Sequence, residues 1–330
     1  MNFQMIDDTN KAFSPLITRR GLIALAAAAP MFGSDDALGQ NPSDATCHLA
    51  DGRKLGYRIY GSLKDFPVLY FHGTPGSRLE AALLAPFCNA NGVCLIAVDR
   101  PGMGMSTFSQ RHSHVSWPSD VARLMDLLTQ STSFDRFGVL AMSGGTSFAL
   151  ACTAVLSKRI TATAIISPRT PAAPGVPKGV LDNALQQAAA YPRLAEGVLR
   201  RQIRRSRRHP NVMPSQFKKF AAVDRNYIQR NGTVLRQVIA EASRHGTQGI
   251  VHDMSLMRWP WQICLPRIDV PVGLWIGNCD YSAPPETLRF LHRNIPRSQA
   301  TTVLGEGHFS IIDKAVASAA IWLKSNSAAK

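Results

Sequence analysis

Three residues of this chain stand where nucleophilic chemistry would need them: Ser143, Asp280 and His308. A serine hydroxyl becomes a nucleophile only when a base within hydrogen-bond reach takes its proton and a third group orients that base. Ser143 ends the apolar run Phe137-Gly138-Val139-Leu140-Ala141-Met142 and is followed by Gly144, Gly145 and a helix-favouring stretch from Ala149 to Leu156. That is the strand, sharp turn and helix of a nucleophile elbow, where the serine is strained and small neighbours let strand and helix approach. The pattern here is Ala141-x-Ser143-x-Gly145, with alanine at the usual first glycine and small enough for the same packing. The helix behind the turn would aim N–H groups at an anion forming near the hydroxyl. An oxyanion needs two such donors. One is expected from the backbone of Gly144, the other from the first strand-to-helix loop, at Thr74. By itself a serine before two glycines is an ordinary turn, so the base and the acid must come from elsewhere.

In open α/β sheets the reacting groups gather in loops at the carboxyl ends of strands. Val272 to Ile276 ends in Gly277-Asn278-Cys279-Asp280, and Ala300 to Leu304 ends in Gly305-Glu306-Gly307-His308-Phe309. The first loop offers the acid Asp280 and the second the base His308, with Glu306 beside it. The competing histidines are less well placed. His112 and His114 precede a helix, His209 sits among arginines, His292 is within a helix, and His245 and His252 belong to a helical segment. His72, at a strand end before a glycine, is expected to shape its own loop. Glu306 is expected to be solvated, and Asp269 precedes its strand and would lie at the opposite end of the sheet. After Thr161 to Ile166 comes Ser167-Pro168-Arg169, which holds no carboxylate and so favours Asp280.

The elements that must carry these loops alternate along the chain. Short strands are expected at Cys47 to Ala50 and Lys54 to Tyr60, around an Asp51-Gly52 turn. Val68 to Phe71 and Val93 to Val98 are continuous apolar runs, as strands covered on both faces are. Helical patterns span Leu79 to Asn89, a helix capped by Ser119 and running to Leu128, Pro284 to Asn294 and Ile311 to Leu323. Strands alternating with helices predict an α/β fold, a mostly parallel sheet with helices on both faces. At Pro168 the rhythm stops, and residues 169–266 are helical and basic; they predict a cap inserted between two core strands, with the core in 40–168 and 267–330.

Composition bounds the rest. A 330-residue chain with 45% hydrophobic residues has ample material for a core, which argues against disorder. The net charge is +15, and residues 1–40 hold three bases against four acids, so the basicity lies in residues 41–330. A solvated cationic surface is the expected reading; an acidic partner or an anionic membrane is the alternative. The six cysteines show neither a C-x-x-C pair nor zinc-ligand spacing, so no metal is expected, though one or two disulfides stay open. Gly102-x-Gly104 lacks a third glycine and a following helix, so no nucleotide cofactor is expected.

Thr18-Arg19-Arg20-Gly21-Leu22-Ile23, the apolar run Ala24 to Phe32 and the small residues Ala37-Leu38-Gly39 have the order of an export signal of twin-arginine type. Gly21 departs from the fuller motif. Residues 1–39 are therefore expected to be removed and the protein to be periplasmic or extracellular.

Taken together, His72-Gly73-Thr74-Pro75-Gly76, Asp99-Arg100-Pro101-Gly102-x-Gly104-x-Ser106, the Ser143 elbow, Asp280 and Gly307-His308 resemble the α/β-hydrolase superfamily, in its cap-bearing serine hydrolase branch. The order serine, acid, histidine is that of the family. The resemblance implies a covalent acyl-enzyme route on carboxylic esters or related acyl substrates, without a cofactor. Ser143 would attack, His308 would carry the proton, Asp280 would hold the imidazole, and Thr74 and Gly144 would receive the oxyanion. A peptidase of the proline iminopeptidase type or a cofactor-free perhydrolase would use the same parts, and a ligand-binding protein could keep the fold without the chemistry. The expected partner is a small acyl substrate, for which an anionic group stays open. The arginine-rich segment around Arg200, Arg201, Arg204, Arg205 and Arg208 is expected to be the charged outer face of a cap helix; docking on a membrane surface stays open without being favoured, and nucleic acid is not the expected partner.

Overall fold

Eight strands form one sheet: β1 (Asp44–His48), β2 (Lys54–Tyr60), β3 (Phe66–Phe71), β4 (Val93–Val98), β5 (Phe137–Met142), β6 (Ile160–Ile166), β7 (Val272–Gly277) and β8 (Ser298–Val303). Their order across the sheet is β1-β2-β4-β3-β5-β6-β7-β8. β2 is antiparallel to both its neighbours, and every pairing from β4 to β8 is parallel. The computed structural model describes residues 43–130, 132, 134–170, 175–177, 179, 182–209, 215–257 and 263–327. The export signal expected in residues 1–39 lies outside them.

The helices come in chain order: α1 (Ala85–Asn89), α2 (Trp117–Thr129), α3 (Thr146–Val155), α4 (Asp182–Ala190), α5 (Pro192–Arg208), α6 (Ala222–Arg230), α7 (Gly232–Ala242), α8 (Gln248–Leu256), α9 (Pro285–Asn294) and α10 (Ile312–Ser325). Because successive strand residues point to opposite faces, β3 divides its side chains between two layers. Val68 and Tyr70 join Leu140, Ala164, Val316 and Leu323 beneath α10. Leu69 and Phe71 pack with Trp117, Val121, Leu124 and Phe148 beneath α2 and α3. Both faces are covered, which is why the central strands are apolar throughout. All six cysteines are free, so the open question of disulfides closes against them.

Two helices differ from expectation. The one expected over Leu79 to Asn89 is a 3-10 segment, Arg78–Leu83, followed by the short α1. Pro86 lies in the first turn of α1; it has no N–H to donate, and its ring would press on the carbonyl four residues back, so the helix restarts there. α2 begins at Trp117, so Ser119 is inside its first turn and not its cap. Pro118, favoured in a first turn, moves the start upstream. Between β6 and β7 lie α4 to α8, and among the described residues no helix is long and apolar enough to cross a membrane.

Register levels the strand ends. Phe71 pairs with Ala141, Met142 with Ile166, Ile166 with Trp275, and Gly277 with Val303. The loops beginning at His72, Ser143, Ser167, Asn278 and Leu304 therefore leave the sheet at one rim.

Candidate active site

At that rim Ser143 sits between β5 and α3 with φ of 51°, a left-handed backbone that a side chain adopts only under constraint. The hydroxyl is thereby held above the sheet. His308 Nε2 lies 2.9 Å from Ser143 Oγ, and His308 Nδ1 lies 2.7 Å from Asp280 Oδ2. These partners assign the tautomer: Nδ1–H donates to the carboxylate and Nε2 accepts from the hydroxyl. The other Asp280 oxygen accepts the backbone N–H groups of Ser282 at 2.9 Å and Ala283 at 2.7 Å, which fixes the carboxylate within its loop. All three residues are buried. The structure brings Ser143, Asp280 and His308 into one hydrogen-bonded chain across 165 residues of sequence.

Thr74 and Gly144 also meet. A β-carbon built on Gly144 would collide with the Thr74 side chain and lie 3.0 Å from the Thr74 amide nitrogen. Only glycine lets the elbow pack this closely against Thr74. The Thr74 loop is itself clamped. Arg100, fully buried, donates to the His72 carbonyl at 2.5 Å, the Gly73 carbonyl at 3.0 Å and Thr74 Oγ1 at 2.8 Å. Its guanidinium lies 4.7 Å from the centre of the Phe148 ring. Glu80 accepts from the Gly73 N–H at 2.8 Å and the Tyr70 hydroxyl at 2.6 Å, and burial pushes its carboxyl up from the usual range.

His72 is part of this clamp. Its Nδ1 faces the Gly73 carbonyl at 2.7 Å and its Nε2 accepts the Arg100 N–H at 3.3 Å. Burial, and then the charge of Arg100, hold its pKa well below that of a free histidine. It is a neutral ring that shapes the loop. Asp99 plays a similar part in the neighbouring loop, accepting from the Arg78 backbone at 2.7 Å, the Arg78 side chain at 2.7 Å and the Met105 N–H at 2.9 Å.

The family model for the α/β-hydrolase fold matches residues 67–315. The chain belongs to the α/β-hydrolase fold family. Among solved structures, this α/β-hydrolase is similar to the esterase EaEST from Exiguobacterium antarcticum, with a TM-score of 0.62 at 16% identity over 86% of this chain and 99% of that one. The enol-lactonase from Burkholderia xenovorans LB400 gives 0.62 at 20% identity, over 85% and 98%. A thermophilic esterase from Thermogutta terrifontis gives 0.59 at 20%, over 87% and 100%. At these identities the likeness is one of fold. Among curated proteins none matches the chain.

Two carboxylates of this α/β-hydrolase were not singled out from sequence, and both come from the helices between β6 and β7. Asp224 on α6 accepts three consecutive backbone N–H groups, those of His308 at 2.8 Å, Phe309 at 2.7 Å and Ser310 at 3.0 Å. A side chain at Gly307 would collide with it. Asp253 on α8 accepts from Arg100 Nε at 2.8 Å and Nη2 at 2.9 Å, and from the Thr74 hydroxyl. Burial raises the Asp253 carboxyl, but the adjacent Arg100 charge and its hydrogen bonds outweigh that and bring it to about 2. One inserted carboxylate thus holds the histidine loop and the other the Thr74 loop. A signal for both was present. Residues 169–266 contain only five acids, Asp182, Glu196, Asp224, Glu241 and Asp253, in a strongly basic stretch. Four of the five bind arginines or amides: Asp182 pairs with Arg169, Glu241 with Arg78, Asp253 with Arg100, and Asp224 with the amides of the histidine loop.

Proposed function

We propose that the protein is a serine hydrolase that cleaves carboxylic esters or related acyl substrates through an acyl-enzyme. The observation that carries this reading is the Ser143–His308–Asp280 hydrogen-bonded chain, with Gly144 packed closely against Thr74 beside it. Ser143 Oγ attacks the substrate carbonyl carbon as His308 Nε2 takes its proton. The carbonyl π electrons move to oxygen, where the N–H groups of Gly144 and Thr74 receive the negative charge. Collapse of this intermediate breaks the bond to the leaving alkoxide, which takes the proton from His308 and departs as an alcohol. Water then attacks the acyl–serine ester, giving its proton to His308. The carboxylic acid leaves as Ser143 regains its hydrogen. Throughout, Asp280 orients the imidazole by accepting from its Nδ1–H, while the amides of Ser282 and Ala283 keep Asp280 in place.

A protein that only bound a ligand would need neither a hydroxyl–imidazole contact nor an oriented carboxylate behind it. The test is direct. Ser143→Ala is expected to lose hydrolysis of short p-nitrophenyl esters by several orders of magnitude while keeping its circular dichroism. A fluorophosphonate is expected to add one label to the wild type and none to the variant. Hydrolysis unchanged in Ser143→Ala, or a folded wild type that neither takes the label nor cleaves any acyl substrate, would overturn the reading.

A further inference from the structure

The outward side of α5 carries a pattern that the acyl chemistry does not use. Ile203 is buried, and Leu199 packs against Met103, Ala242 and Ile250, so these residues define the inner side. On the outer side Tyr191, the residue before the helix, is followed by Leu194, Val198, Arg201, Arg205 and Arg208, which succeed one another within the helix at alternating spacings of four and three residues. Residues so spaced stack along one line of a helix. The first three are 63%, 67% and 50% exposed, and the three arginines are exposed as well. Arg193, Arg200, Arg204 and Arg207 flank this line. α5 thus holds seven arginines against one acid, Glu196, and none of the seven takes part in an ion pair among the described residues.

Neither half of this row is explained by the fold. Exposed apolar side chains in a line gain nothing from water, and arginines at spacings of three and four repel one another. A phosphate-bearing surface would satisfy the charged half alone. A lipid surface satisfies both halves, since apolar side chains enter the boundary between headgroups and acyl chains while guanidinium groups meet the phosphates. We propose that the outer face of α5 docks on an anionic phospholipid bilayer, lying in its surface along about 25 Å of helix. Tyr191, Leu194 and Val198 supply the apolar contact, and Arg201, Arg205 and Arg208 the headgroup contact. A nucleic acid would use the arginines and leave the apolar three in water. The proposal does not depend on the acyl chemistry.

The experiment is vesicle co-flotation of the full chain at low salt. Vesicles of equimolar phosphatidylglycerol and phosphatidylcholine are compared with vesicles of phosphatidylcholine alone. Binding is expected only to the former and is expected to fall steeply with added salt. Replacing Arg201, Arg205 and Arg208 together with glutamine is expected to weaken it about a hundredfold. Leu194→Ser with Val198→Ser is expected to weaken it about tenfold or more. Hydrolysis of a soluble ester is expected to be unchanged in both variants, which also shows that they fold. Binding that persists in both variants would assign the contact to another region, such as the apolar run 24–32 that all share, and overturn the proposal. So would equal binding to phosphatidylcholine alone, or no binding at low salt. A duplex DNA retained through the arginines, with vesicle binding indifferent to Leu194 and Val198, would make this a polyanion site instead.

Discussion

The helices between β6 and β7 treat charge in opposite ways on their two sides. Toward the sheet, Asp224, Glu241 and Asp253 each meet a cation or a row of amides, largely out of water. Toward solvent, α5 carries seven arginines without a paired carboxylate among the described residues. The physical difference is desolvation. A buried carboxylate must be compensated at every oxygen, so its partners are fixed and its geometry is exact enough to hold another loop. An exposed guanidinium is compensated by water and fixes nothing. The inner acids therefore behave as parts of the Ser143 site, and the outer bases as a surface. Substitutions on the two sides should differ in kind as well as in size.

The sharpest test of this contrast is Asp224. Asp224→Ala would leave three N–H groups without an acceptor, and the two buried ones, those of His308 and Ser310, would each cost about 1–3 kcal/mol. It would also free the loop that holds His308. A displacement of the base by about 1 Å is enough to cost roughly a hundredfold in rate. Asp224→Ala is therefore expected to lower kcat at least that far with little change in KM, and to lower the urea midpoint. Asp224→Asn keeps one acceptor oxygen and should recover part of both. If Asp224→Ala kept the kcat of the wild type, the histidine loop would be holding itself, and the inner side would be no more functional than the outer.

Asp253 comes next. Removing one partner of a buried pair typically costs about 3–5 kcal/mol, because the other charge stays buried. Asp253→Asn should show a loss of that order in urea unfolding, together with a smaller fall in kcat through the released Thr74 hydroxyl. Acid adds a second readout. The Asp253 carboxyl is lowered from 3.8 to about 2 in the fold, so its stabilising contribution is complete above about 4 and is lost as pH falls through about 2. The variant should lack this part of the acid transition. An unchanged transition would mean that Arg100 finds its compensation elsewhere.

How much of this contrast was legible beforehand depends on sequence distance. The apolar runs of β3 to β7 and the elbow at Ser143 are local patterns, fixed by neighbours within a few residues. Asp280 and His308 were singled out by a topological rule, since each lies in the loop that follows a strand, and levelled strand ends then place both near the elbow. Gly144 was singled out as the residue after Ser143 and Thr74 as part of the first strand-to-helix loop, and the fold packs the two against each other. The inner acids were not, because their partners lie 84 to 86 residues away for Asp224 and 153 to 179 for Asp253, with no periodicity to announce them. Their scarcity in a basic segment was the one available clue. The split at Pro86 was readable from proline chemistry, but the helical apolar pattern across it hid the break. The outer row of α5 shows an intermediate case. Its arginines are plain in the sequence, whereas the exposure of Tyr191, Leu194 and Val198 could be known only once Leu199 and Ile203 were seen to face inward.

An effect that is small near neutral pH and grows with acid is expected where the inner side meets His112. This ring is stacked on Phe148 at 5.3 Å, and neither of its nitrogens has a hydrogen-bond partner among the described residues. Its backbone carbonyl accepts from His252 on α8 at 2.9 Å. Burial holds the His112 pKa down at about 3, so the ring is neutral in the fold and protonated in the unfolded chain below about 6.5. The unfolded state then binds more protons between about pH 3 and pH 6.5, and stability falls on acidification across that window. His112→Phe removes this term. Its stability should depend less on pH there, with a difference from wild type that grows by up to about 1.4 kcal/mol for each unit of pH between about 6.5 and about 3. Parallel stability curves for the two proteins would show that His112 is protonated without leaving the fold.

The smallest effect belongs to the outer side, and its sign is informative. Arg201 and Arg205 are four residues apart on α5, both exposed, and a like-charged pair at that spacing destabilises a helix by about 0.2–0.5 kcal/mol. Arg205 also lies in the last turn, where a cation is favoured by the helix dipole, so the residue to change is Arg201. Arg201→Gln should leave kcat for a soluble ester unchanged and raise stability by a few tenths of a kcal/mol at low salt. The gain should vanish as salt screens the pair. A glutamate there would pair with Arg205 and should gain slightly more. If Arg201→Gln were instead destabilising by more than about 1 kcal/mol, beyond the usual range for a surface position, Arg201 would have to be compensated from within the chain. The outer side would then be built like the inner one, and the unpaired arginine row would lose its reason to seek a partner outside the molecule.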